Sequence, residues 1–403
     1  MKRFFAFVFA LSACFADNPM HGMYGAYPMG RDATGTSWMP SSTRMPHIHR
    51  MAGDWILMAH GYANGVYDQQ GGPMGGDKFF SENMFMFTAQ TDFGMSTGAL
   101  RSMISFEPAT IGCNGYPLLL QTGETCNGKD LLVNRQHPHD FLMELAAVYT
   151  LRFAPESSFF AYFGYPGEPA LGPPAFIHRF SAFFNPEAPI SHHWLDSTHI
   201  SFGVGTLGLV HKWMKLDGSI FTGREPDAAR WNFDAPRFDS YSIRFSANPL
   251  RDLAAQISYG YIKSPEALEP DVNIHRTTAS LSYNIAWEKN NFQITAAYGL
   301  NALSPGPSLN AALLESALQV RESHVLFFRG EYAQKNELLP DSHTVFNVGK
   351  FDLGYILQYP LLPFTLWGLG FVGSASFVPG PLESAYGDTP FSYMAFLRID
   401  LIE

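Results

Sequence analysis

From Leu353 to Leu382 the chain carries no charged side chain, a run longer than the ~20 apolar residues that take a helix across a bilayer. Its own punctuation rules the helix out. Pro360, Pro363 and Pro379, with Gly368, Gly370 and Gly373, would break it repeatedly. Two strands joined by a turn at YPLLPF tolerate all six residues. Lipid-facing backbone must be satisfied inside the protein, so strands at that depth require a closed barrel.

The same period runs through the chain from about residue 240. Leu253, Ala255, Ile257, Tyr259 and Tyr261 alternate with a smaller face that includes Gln256, Ser258 and Gly260. Ala279, Leu281, Tyr283, Ile285 and Trp287 repeat the pattern, and so do Phe292, Ile294, Ala296, Tyr298 and Leu300. The short polar links at 248–252 and 288–291 join neighbours as antiparallel hairpins. Further strands are expected at 241–247, 326–332, 351–359, 367–377 and 395–401. In the first half they are expected at 54–67, 79–93, 98–107, 145–153, 158–165 and 199–210. The expectation is an all-β, antiparallel transmembrane barrel of about 14 strands, with 12 to 16 compatible with the length.

A soluble sandwich would show the same alternation, so the solvent of the large face has to be argued. Aromatic residues make up 15% and charged residues only 15%, against roughly 25% charged in soluble domains. Rings also gather at strand ends, as Tyr359 and Phe364 do around Leu361 and Leu362, where an interfacial girdle would place them. The large face is therefore assigned to lipid and the small face to a wet lumen. On that assignment Arg244, Arg329, Glu331, Lys350, Arg398 and Asp400 point inward. A net charge of −10 and a pI near 5.8 argue against a nucleic-acid partner.

MKRFFAFVFALSACFADN has the basic start, apolar run and small residues of an export signal. Cleavage after Ala16 and lipidation of Cys14 are the two processing routes it allows. Residues 17–50 read as a flexible Met/His-rich arm, and 51–403 as one barrel domain with long loops at 166–174 and 185–199. After export, Cys113 and Cys126 are expected to pair, closing a short loop worth about 3 kcal/mol in the chain-entropy account; two buried thiols are the alternative.

Most histidines lie outside the regular strands. RQHPHD supplies His137, His139 and Asp140, AFIHRF supplies His178, and HHWLDSTH supplies His192, His193, Asp196 and His199. Extended His-Pro-His puts both rings on one side, and a helical turn aligns His192, Asp196 and His199. Imidazole with carboxylate suits Zn or Cu; a hydrogen-bonded polar layer packing loops against the wall uses the same residues. The arm adds Met20, His21, Met23, Met29, Met39, Met45, His47, His49 and Met51, and thioether with imidazole favours copper, above all Cu(I). Glu124, Glu144 and Glu168 could act as bases, but the chain has no H-E-x-x-H or Walker sequence.

The words LLLQTGET, RQHPHDFLMELA, PGEPALGPPAFIHR, NPEAPISHHWLDSTHISFG, GSIFTGREPD and SPEALEP resemble those of a family of predicted Gram-negative outer-membrane β-barrel proteins, over most of the stretch from Trp38 to Ala302. The resemblance implies an outer-membrane location and an association with heavy-metal export systems. Cys113, Cys126 and the non-aromatic terminus LRIDLIE depart from that pattern. The expected function is porin-like or accessory to transition-metal (copper) handling, with Cu or Zn at the histidines, and with outer-membrane lipid, metal ions or a metal-efflux system as partners. The other classes considered are a barrel hydrolase acting on lipid or envelope polymer and a surface structural or adhesive protein.

Overall fold

The computed structural model describes residues 21–339 and 342–403. The export signal, Cys14 and Met20 lie outside the described residues. Sixteen antiparallel strands close into a barrel. The first six are Trp55–Gln70, Gly76–Phe93, Ser96–Ile104, Leu142–Ala154, Ser157–Gly164 and Val204–His211. Met214–Phe221, Ser240–Leu250, Leu253–Ile262, Asn273–Trp287 and Asn290–Ser304 follow. Ser308–Val320, His324–Lys335, Phe346–Leu362, Thr365–Phe377 and Phe391–Leu401 complete the wall. Each pairs with its neighbour in sequence, and the last pairs with the first through Tyr393↔Gln69 to Asp400↔Tyr62. Beyond that seam Ile48–Ala52 pairs with Trp55–Ala59 and continues the line of the final strand.

Two strands exceed the expected fourteen: Met214–Phe221 and Ser308–Val320. The first alternates over only 8 residues, and the second hides its alternation. Lys215 and Asp217 are buried in the first, while the second turns Leu309, Ala311 and Leu313 inward with Glu315. The uncharged run does form two strands around a turn, as its prolines require. No helix of the described residues is long and apolar enough to cross a membrane.

The exterior is apolar. Ile257, Leu281, Tyr283, Ile285, Leu353 and Leu369 are exposed on the outer face, which in water would be a continuous apolar surface far beyond what soluble monomers show. Trp55, Phe93, Trp213, Trp287, Tyr359 and Phe364 are exposed beside the short turns, and Tyr67, Phe79, Phe163, Tyr241, Phe377 and Phe391 near the opposite ends. These two aromatic bands bound a lipid belt. A closed barrel so faced is an outer-membrane protein of a Gram-negative envelope, its short turns toward the periplasm.

The lumen is occupied by the chain's own segments, where an open wet interior was expected. From Pro166 to Val204 every residue but His193 is buried, because this segment folds into the barrel. Phe176, Ile177, Phe180, Phe183 and Phe184 pack against wall residues Tyr62, Val66, Phe80, Phe327, Ile356 and Phe396, each ring contributing about 1.5–3 kcal/mol on burial. A second cluster joins Leu119, Leu120, Ile190, Trp194 and Leu195 to Leu309, Leu313 and Val348. The hairpin Tyr116–Thr125 with Leu131–Gln136, outside the barrel sheet, supplies the first two. The arm is also inside: Tyr24, Tyr27, Trp38 and Met39 are buried, so residues 21–43 pack rather than move freely. Gly172 makes one tight turn possible, since its φ is +86° and a Cβ there would lie 2.0 Å from the Leu195 carbonyl oxygen. Cys113 and Cys126 are joined by a disulfide.

Candidate functional site

The inward-facing charges are all buried inside the barrel, and they hold the plug. Arg179 donates to Glu315 on the wall at 2.8 Å and to Asp196 in the plug at 2.5 Å. Arg329 donates to the same Glu315 at 3.2 Å, and Lys350 pairs with Glu187 of the plug. Arg398 packs its guanidinium 4.1 Å from the Tyr62 ring and 4.2 Å from the Phe183 ring, between wall and plug.

Within this frame five imidazoles meet. The turn His192–Leu195 puts His192 Nδ1 2.7 Å from Asp196 Oδ1, an i, i+4 contact. His199 donates Nδ1–H to the Asp196 carbonyl at 2.8 Å. Ring centroids are 5.1 Å apart for His192 and His199, 5.6 Å for His192 and His193, 5.2 Å for His139 and His199, and 6.2 Å for His137 and His193. The rings border a cavity of about 20 Å³, enough for one water, together with Glu124, Asp140, Glu225 and Arg230. Gly123 lies flat on His193: its φ is +126° and a Cβ would sit 2.2 Å from His193 Cε1.

The environment separates the protonation states of these rings. Burial, then His192 and His139, push His137 down to about 3. Burial with neighbouring imidazoles also pushes His193 and His199 well below the ordinary range, so all three are neutral at physiological pH. His139 goes the other way: burial opposes its charge most, but Glu107 at 2.9 Å, together with Glu82 and Asp140 behind it, outweighs burial and raises it. Asp196 is buried, yet Arg179 and His192 hold it below the usual carboxylate range. Asp140 is raised by burial and by Asp234, and donated to by Arg230 at 3.0 Å.

Of the residues singled out in the sequence, His137, His139, Asp140, His192, His193 and His199 border one cavity, with Asp196 bonded to two of them. His178 stands apart, 5.2 Å from His60. His21 bonds Asp92 at 2.6 Å, His49 bonds Glu403 at 2.7 Å, and Met23 and His47 border a different cavity. Glu124 faces His137 at 3.6 Å, whereas Glu144 pairs with Arg101 and Glu168 lies against Gly35. Sequence reading missed Glu107 and the acidic vestibule of Glu225, Glu266, Glu269 and Glu337, which opens onto His193. The words GREPD and SPEALEP carry three of those glutamates. Burial, and for Glu266 also the neighbouring carboxylates Glu225 and Glu337, raise the acids Glu225 and Glu266.

Chemically, the cluster offers neutral imidazole donors under a cation-attracting mouth. Nε2 of His193 and of His199 is buried without a hydrogen-bond partner. Three His, Cys, Asp or Glu donors do not converge on one ligand position among the described residues. Two of the four ring spacings, His192 to His199 and His139 to His199, equal the ~5 Å centroid separation of imidazoles whose nitrogens sit ~2.0–2.1 Å from a tetrahedral ion; the other two are wider. For catalysis the set lacks a nucleophile: among the described residues no hydroxyl or thiol is hydrogen-bonded to these five rings.

No protein family and no curated protein matches this sequence. Solved structures do match in fold. OmpF of Salmonella typhi, solved in complex with daunomycin, aligns with a TM-score of 0.55 at 8% identity, over 88% of this chain and 100% of that one. A loop-deletion form of OmpT, an outer-membrane protein of Vibrio cholerae, gives 0.49 at 7% over 85% and 99%. An anion-selective porin from Comamonas acidovorans gives 0.46 at 10% over 85% and 100%. The first likeness shows a porin-like barrel.

Proposed function

We propose that this chain is a porin-like outer-membrane protein that handles transition-metal ions, binding Cu or Zn at the imidazole cluster inside an occluded lumen. The carrying observation is the cluster itself: five imidazoles in contact, three of them held neutral, two with an uncommitted Nε2 in a buried, water-sized space. Burying unpartnered polar atoms costs stability, and a bound cation satisfies them.

The vestibule supports a cation over an anion. Glu225, Glu266, Glu269 and Glu337 line the approach to His193 with Arg276 as the one basic side chain among them. Carboxylates crowded in this way resist ionising together, and an arriving divalent ion relieves that repulsion. Barrel wall and plug then separate two tasks: the exterior engages outer-membrane lipid, and the interior receives the ion for a metal-efflux partner.

Metal analysis of the detergent-purified protein after exposure to Zn(II) or Cu(II) and desalting tests the reading. One retained equivalent is expected, lost in the His137→Ala, His193→Ala double variant. Retention unchanged in that variant overturns the assignment.

A further inference from the structure

A second cavity, of about 370 Å³, lies between the folded-in arm and the strands Trp55–Gln70 and Gly76–Phe93. Six methionines border it: Met23, Met29, Met39 and Met45 from the arm, Met58 and Met86 from the wall. In an ordinary core, methionine fills gaps. Here the thioethers surround a volume that none of them fills.

Two imidazoles share the chamber. His60 is the cross-strand partner of Met86. Its Nδ1 lies 2.6 Å from the Pro46 carbonyl oxygen, which can only accept, so Nδ1 carries the proton and Nε2 presents a lone pair. That Nε2 is buried without a hydrogen-bond partner, as is Nε2 of His178, whose ring centroid is 5.2 Å away. A backbone carbonyl that orients one nitrogen and frees the other is the usual support of a metal-bound histidine.

The donor set also specifies the kind of ion. Among the described residues the single carboxylate at the chamber is Asp32, and each of its oxygens accepts a hydrogen bond, Oδ2 from Met23 N–H at 2.6 Å and Oδ1 from Tyr27 O–H at 2.7 Å. A hard divalent ion would find one carboxylate, each of whose oxygens already accepts a hydrogen bond. Arg101, paired with Glu144 at 3.2 Å, borders the same space and further disfavours high charge.

We infer that this chamber is a second metal site, selective for a soft monovalent cation, Cu(I), held by His60 Nε2 and methionine thioethers led by Met58 and Met86. Thioether and imidazole together select Cu(I). Exposed His47 at its rim, next to the short-turn end, gives the ion a periplasmic entrance. The inference uses side chains outside the five-imidazole cluster, so it survives if that cluster binds nothing.

The test is anaerobic titration of the full detergent-purified protein with Cu(I) against a bathocuproine competitor, followed by copper K-edge absorption fine structure. One Cu(I) with both sulfur and nitrogen scatterers is expected, bound at least tenfold more weakly in Met58→Leu, Met86→Leu, a change that conserves volume. Zn(II) retention should be unaltered in that variant. Copper without sulfur scatterers in the wild-type protein, which needs no variant to fold, overturns the inference. So does Cu(I) affinity that falls in His137→Ala, His193→Ala and not in the methionine variant, a result that returns the copper to the imidazole cluster.

Discussion

Arg179 reaches from the lumenal segment to Glu315 on the barrel wall, Nε to Oε1 at 2.8 Å, with both side chains about 2% exposed or less. Glu315 also receives Arg329, so one carboxylate balances two guanidiniums inside the barrel. The pair ties the plug to the wall at a point where neither partner has water to fall back on. Removing one partner of a buried pair is costly because the other stays charged and unpaired.

Glu315→Gln should therefore destabilise the folded barrel, by less than the about 3–5 kcal/mol of a fully unpaired buried charge, because Arg179 keeps Asp196. The reading is the temperature at which the compact gel band converts to the unfolded one. A double change of Arg179→Met with Glu315→Gln should recover part of that loss. An unshifted conversion temperature in the single variant would mean the tether carries no load.

At Gly123 the Cβ of an added methyl would meet His193, and the backbone φ of +126° is a region that residues with a side chain rarely adopt. Gly123→Ala should cost about 1–3 kcal/mol of local strain and displace His193. Zn(II) retention should fall while the barrel's strand signal in circular dichroism stays intact. Retention equal to wild type would show that the His193 position is immaterial.

The acid dependence of Zn(II) binding follows from the pKa directions. Protonation competes with the metal, so affinity falls as pH drops through the highest pKa among the groups that must be unprotonated. His137, pushed down to about 3, and His193 and His199, also lowered, remain neutral across that range. Glu225 and Glu266 are raised above the ordinary carboxylate value and His139 above the ordinary imidazole value, so these groups take up protons before the three lowered rings. Glu266→Gln should make affinity less pH-dependent in the range above the ordinary carboxylate pKa of about 4.3, into which burial and its carboxylate neighbours move Glu266. A slope identical in wild type and variant would place the titration on an imidazole.

On the exterior, Leu281 lies mid-strand between Ala255 and Ala296 and is exposed. Leu281→Lys should destabilise the protein in lipid by about 2–4 kcal/mol, the penalty for a cation on the lipid face near the midplane. Urea titration in liposomes reads it. A neutral outcome would mean that this face meets water.

The wall was legible because its outward face obeys one rule. Ile257, Leu281 and Tyr283 face outward as their alternation requires, and Arg244, Lys350 and Arg398 face inward. The inward face was misread because its solvent was taken to be water. Leu309 and Leu313 turn inward to meet Trp194 and Leu195, so both faces of Ser308–Val320 are apolar and its period disappears. Nothing local in PGEPALGPPAFIHRF announces a segment that fills a barrel; the burial comes from partners hundreds of residues away. At the site, spacing along the chain brought out the pairing of His192 with Asp196, which one helical turn dictates. The meeting of His137 with His193 depends on the positive-φ backbone at Gly123, a tertiary contact that sequence spacing does not encode.

The account rests most heavily on a lumen filled by the protein's own chain and locked by Arg179 and Glu315. Conductance of the purified protein in planar lipid bilayers tests this directly. The wild-type barrel should show no steady porin-like current, and Glu315→Gln should produce open bursts as the plug loosens. A stable, water-filled conductance in the wild-type protein would contradict it.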